Sequence, residues 1–72
     1  MKAYLEGGRV DYQQRVIDEK RQLDDKLTRL SLFLATPPVK VSPEEFERLK
    51  KQETLMGQYS AVLGERIRAF LA

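Results

Sequence analysis

The sequence has no cysteine, no histidine and no tryptophan among its 72 residues. The missing cysteine excludes a disulfide framework, a thiolate metal site and a thiol nucleophile. The missing histidine removes the commonest metal ligand and general base. Apolar runs are short: none approaches the roughly 20 residues of a membrane span. No segment pairs a charged n-region with an apolar h-region as a secretory signal does. The expectation is a cytoplasmic protein with no membrane partner. A chain this short, without covalent staples, has difficulty burying a sufficient core alone. Either it is unusually well packed or it borrows core from a partner chain.

An excess of one charge is also missing. Thirteen Lys+Arg stand against eleven Asp+Glu, a formal net charge of +2. The balance is even along the chain, with seven basic and six acidic residues in 1–36 and six and five in 37–72. No basic tail or stripe marks the sequence as a holder of long nucleic acid by counterion release, so neither DNA nor RNA is expected. A small anion held by a few converging cations stays open, because such a site need not show in the total charge.

Three marks punctuate what is there. Gly7-Gly8 ends a short leader, residues 1–10. Thr36-Pro37-Pro38 stops the first long segment, because proline disfavours αR at the residue before it and cannot continue a helical ladder. Ser42-Pro43-Glu44-Glu45 starts the second: Ser42 can cap, Pro43 fits the first helical position, and Glu45 completes a capping box. Val41 and Phe46 are spaced as a hydrophobic staple. No strand alternation, internal repeat or low-complexity stretch interrupts this pattern. The reading is a hairpin domain over residues 11–71, with helices at about 11–35, capped by Asp11, and about 43–70.

Apolar spacing supports both helices. Val16, Leu23, Leu27, Leu30 and Leu34 fall on one heptad seam, and Phe46, Leu49, Met56, Leu63, Ile67 and Phe70 on another. Lys20 interrupts the first seam, and Glu53 and Ser60 the second. The short connection makes the helices antiparallel neighbours. Pairing Leu34 with Phe46 then sets Leu27 near Glu53, Lys20 near Ser60 and Val16 near Leu63. Gly57 and Gly64 sit beside the Lys20 level, where they allow close approach or a small pocket. The fold expected is all-α, an antiparallel two-helix hairpin. Apolar residues beyond the seams, including Leu55, Tyr59 and Val62 at i, i+4, i+7, call for a cover. The simplest cover is another copy, giving a compact helical homo-oligomer.

The residues offer no catalytic constellation. The adjacent carboxylate pairs Asp18-Glu19, Asp24-Asp25 and Glu44-Glu45 point about 100° apart on a helix and do not converge. Asp18 and Asp25 read as part of a solvated, charge-alternating face. Gly7-Gly8 is too little for a phosphate loop, and serines without a histidine make no triad. An enzyme is therefore not expected, and no cofactor is called for. Lys20 reads either as a snorkelling stem paired to a carboxylate or as an anion-binding lysine. Arg66 and Arg68 read as surface or helix-dipole partners, or as a guanidinium clamp for phosphate. Tyr12 and Lys26 share a flank two heptads apart. At about 1.5 Å per residue they are about 21 Å apart in one chain, too far to grip one small ligand together. Across an antiparallel pair of protomers, Tyr12 of one chain can approach Lys26 of the other, placing a stacking plane beside a cation. Ordinary packing for Tyr12 and solvent for Lys26 is the competing reading.

Tyr12-Gln13-Gln14-Arg15-Val16-Ile17-Asp18-Glu19-Lys20, Leu23-Asp24-Asp25-Lys26, Leu30 and Phe33, followed by Phe46, Leu49, Gln52, Met56, Tyr59, Leu63, Arg66-Ile67 and Phe70, form a wider pattern. It resembles the helical hairpin shared by phage anti-CBASS cyclic-nucleotide sponges and the related anti-Thoeris sponges, over residues 12–70. The resemblance implies a non-catalytic, phage-encoded immune-evasion protein acting in the infected bacterial cytoplasm. It implies a homo-oligomer, often a hexamer, that sequesters cyclic dinucleotides between protomers without cleaving them. The matching positions are Tyr12, for the bases, and Lys26, for the phosphates. Arg66 matches an arginine of a second site, for cyclic trinucleotides. The leader has no clear counterpart, although Tyr4 and Leu5 can pack as an anchor. The alternative reading is a helical-hairpin adaptor that binds proteins and no small ligand.

Overall fold

The computed structural model describes residues 11–36 and 40–71, and these form two helices, α1 (Asp11–Ala35) and α2 (Pro43–Leu71). The leader with Tyr4 and Leu5, the Pro37-Pro38 stop and the capping role of the Asp11 side chain lie outside the described residues. The helices pack side by side as an antiparallel hairpin with extents of 52 × 19 × 15 Å. The long axis is little more than the length of α2, which is about 44 Å at 1.5 Å per residue.

The start of α2 follows its local signals. The Ser42 hydroxyl accepts the Glu45 backbone N–H at 3.1 Å, and the Ser42 carbonyl accepts the Phe46 N–H at 2.9 Å. Glu44 and Glu45 lie in the first turn, facing the positive end of the helix dipole. The capping box is made in its serine half. The Glu45 carboxylate accepts from Arg48 Nε at 2.9 Å, a partner one turn along the same helix.

The seam holds the hairpin together, and its centre is small. Among the described residues Val16, 5% exposed, and Leu63, 1% exposed, are the buried apolar side chains, with Ser60 also buried. The other seam residues, from Leu23 to Leu34 and from Phe46 to Phe70, are half-buried. One stripe per helix is what a pair of helices can cover, and it leaves Leu32, Leu55, Val62 and Leu71 exposed by half or more.

Candidate functional site

The structure resolves the lysine on the seam. Lys20 lies on α1 where its stem must cross between the helices, and Gly64 of α2 leaves room for it. A Cβ at Gly64 would come within 3.4 Å of Lys20 Cε and 3.7 Å of an Arg68 guanidinium nitrogen. Lys20 Nζ donates to Asp24 Oδ2 at 2.8 Å and to Ser60 Oγ at 2.8 Å. Ser60 Oγ in turn donates to the other Asp24 oxygen, Oδ1. The three groups close a ring across the two helices, in which the serine hydroxyl both accepts and donates. The ring uses two of the three ammonium protons of Lys20.

The pairing of Lys20 with Ser60 matches the expected register. The carboxylate partner is Asp24, one turn along α1, which the sequence reading left among the non-converging pairs. Asp25, its neighbour, points away to Arg29. Hydrogen bonding from Lys20, then from Ser60, holds the Asp24 carboxyl below the ordinary aspartate value; burial opposes this and loses, and the Lys20 charge adds to the lowering. A second polar bridge crosses the seam nearer the connection. Ser31 Oγ donates to Glu53 Oε2 at 2.6 Å. Glu53 was expected level with Leu27, and its carboxylate reaches one turn further along α1.

These contacts fix which flanks of the helices adjoin. The Lys20–Asp24 side of α1 meets the Ser60–Gly64 side of α2. On the opposite side of the seam, Tyr12 meets Phe70, their rings edge-to-face with centroids 6.2 Å apart and planes at 81°. Heptad steps from Tyr12 reach Glu19, Lys26 and Phe33. Tyr59 and Arg66 lie one turn before Leu63 and Phe70, on the edge of α2 nearest that flank. The structure therefore gathers Tyr12, Lys26, Tyr59 and Arg66 on one flank of the hairpin.

Along that flank the residues divide. Tyr12, 53% exposed, and Arg66 lie on either side of Phe70 at one end, Arg66 four residues from Phe70 and so its neighbour on the helix surface. Lys26 lies about 21 Å from Tyr12 along α1 and is not brought to it within one chain. Lys26 and Arg66 are exposed and have no ion-pair or hydrogen-bond partner among the described residues. Tyr59, noticed in the sequence only as part of an apolar stripe, is 44% exposed on the same flank. Its signal was the extension of that stripe by one turn, from Leu55, Tyr59 and Val62 to Arg66.

The even charge along the chain is uneven around the hairpin. The flank carries Arg15, Lys26, Arg29, Arg48 and Arg66 against Glu19 and Glu45. The opposite flank is basic as well, with Lys20, Arg21, Lys50 and Arg68 against Asp24 and Glu47, while the outward backs carry Asp18, Asp25, Glu44 and Glu65 against Lys51; Arg29 is paired with Asp25 and Arg48 with Glu45. A basic flank bearing exposed tyrosines suits a small anion with a flat ring. Among the described residues no group of His, Cys, Asp or Glu is placed to hold a metal ion, and no helix is long and apolar enough to cross a membrane.

No curated protein and no solved structure matches the chain. The sequence model of one family, described as Sequestin, matches residues 10–69. That span takes in α1 and nearly all of α2, with the seam, the polar ring and the basic flank, and the chain belongs to the Sequestin family.

Proposed function

We propose that this protein is a non-catalytic sponge that binds cyclic di- and trinucleotides and keeps them from the effectors they would activate. The family's name denotes sequestering, and the resemblance to anti-CBASS sponges supplies the ligand class. The observation that carries the reading is the flank on which Lys26 and Arg66 stand exposed, without a partner among the described residues, together with the exposed rings of Tyr12 and Tyr59. In this reading Tyr12 stacks a base, Lys26 answers a phosphate, and Arg66 serves the trinucleotide site. No residue has to break a bond. Sequestration works by stoichiometry and affinity, which a chain without histidine or cysteine can supply.

A single hairpin is too narrow to enclose a cyclic dinucleotide. Copies of the chain joined through the exposed apolar residues complete the pocket, and the hexamer implied by the resemblance repeats it by symmetry. Because the ligand is two-fold or nearly so, a symmetric pair of flanks meets it with two rings and two cations. The same exposed stripe, Leu55 and Val62 with Tyr59, would also suit an adaptor that docks another protein. Calorimetric titration with a panel of cyclic di- and trinucleotides separates the two. Saturable heat near one ligand per pocket supports the sponge, and no heat across the panel leaves the adaptor.

A further inference from the structure

We propose that Tyr59 is a second base-stacking residue, forming with Lys26 of the same chain a grip for one base-and-phosphate unit of a nucleotide ligand. The inference rests on the sponge reading and adds to it a residue that neither the seam pattern nor the resemblance assigned to the site.

The argument is one of register. Ser60 bonds to both Lys20 and Asp24, 2.8 Å from the first, so it stands level with that turn of α1. Tyr59 precedes it by one residue and lies on the basic flank. Lys26 is two residues beyond Asp24 and, like Tyr59, lies on the flank opposite to it, within about one helical turn of the Tyr59 level, or roughly 5 Å along the axis. Axes of packed helices lie about 8–10 Å apart, so the two side chains border one shallow groove. The Tyr59 ring is 44% exposed and makes no ring contact among the described residues, where the Tyr12 ring is already engaged edge-on with Phe70. Among the described residues the cation–π contact is that of Lys50 over Phe46, 5.2 Å from the centroid, on α2 alone. Among the same residues Lys26 makes no cation–π contact with Tyr59, and both residues are exposed.

A nucleotide matches that groove in two respects. Its base needs a plane to stack on, and its phosphate needs a cation a few ångströms away. Glu19, the nearest acid on the flank of α1, is two turns from Lys26 on that helix and borders the other side of the Tyr59 level, so the phosphate would sit on the Lys26 side of the ring. Tyr12 and Lys26 need two chains to meet. Tyr59 and Lys26 need one, so each protomer brings a preassembled half-site to the pocket.

The test uses the full-length protein and isothermal titration with a cyclic dinucleotide that the wild type binds, alongside light scattering for the assembly mass. Tyr59→Leu keeps the apolar bulk and removes the π plane, and Tyr59→Phe keeps the plane and removes the hydroxyl. The expected result is a loss of affinity of roughly tenfold or more for the leucine variant, near-wild-type affinity for the phenylalanine variant, and unchanged mass in both. Wild-type affinity in Tyr59→Leu overturns the inference and leaves the sponge reading standing. A change in mass that accompanies the lost affinity also overturns it, because the ring would then be packing between chains. A wild type that binds no cyclic nucleotide overturns both.

Discussion

The Ser60 hydroxyl is the smallest group on which the hairpin depends. Among the described residues its oxygen is the atom that hydrogen-bonds both Lys20 and Asp24, on α1, to α2. Ser60→Ala leaves the Lys20–Asp24 pair intact on its own helix and strips the buried link. The expected cost is roughly 1–3 kcal/mol, read as a lower midpoint in a thermal melt followed by circular dichroism. Asp24 adds a pH dependence of known sign. Folding lowers its pKa, so the unfolded chain binds that proton more tightly than the folded one. The contribution is full above about pH 4, the ordinary aspartate value, and is lost as pH falls through the lowered folded value. Asp24→Asn should therefore flatten the fall in melting temperature across that acid range, and a variant that falls as steeply as wild type contradicts the assignment. The lysine's place on the seam was legible in the sequence, and so was Ser60 as its opposite number. Asp24 was not, because a spacing of four residues names a possible ion pair without saying which way the side chain turns.

Within the elements, local rules did most of the work. Ser42, Pro43 and Glu45 announce the start of α2 because capping is decided by residues a turn apart, and the Ser42 cap is made. The half of the box that failed to form lost to Arg48, a competitor on the same turn of α2. The two seam glycines of α2 were grouped together in the sequence and differ in the structure. Gly64 faces the Lys20 stem, whereas a Cβ at Gly57 would meet nothing within 4 Å. Gly57 carries the entropic cost of glycine in a helix without a contact in the hairpin to justify it. Gly57→Ala should raise stability by roughly 0.5–1 kcal/mol, or a few degrees in melting temperature for a domain of this size. A lower melting temperature in the assembled protein would show that a second chain comes close at Gly57.

For the whole molecule, the decisive quantity is the core. Among the described residues Val16 and Leu63 are the buried apolar ones, a small core for a two-helix hairpin. Light scattering should return a multiple of the single-chain mass, and a monomeric mass at micromolar concentration would remove the symmetric pocket from the functional reading. The sequence by itself determined the two helices, their antiparallel order and the absence of cysteine and histidine chemistry. Those follow from composition, capping and heptad spacing, which act over a turn or two. The tertiary structure decided what lies beside what. It joined Lys20, Asp24 and Ser60 across the seam and gathered Tyr12, Lys26, Tyr59 and Arg66 along the other flank. Neither is written locally, because both depend on which flank of one helix adjoins which flank of the other. That choice is fixed only when side chains some forty residues apart, such as Lys20 and Ser60, come into contact.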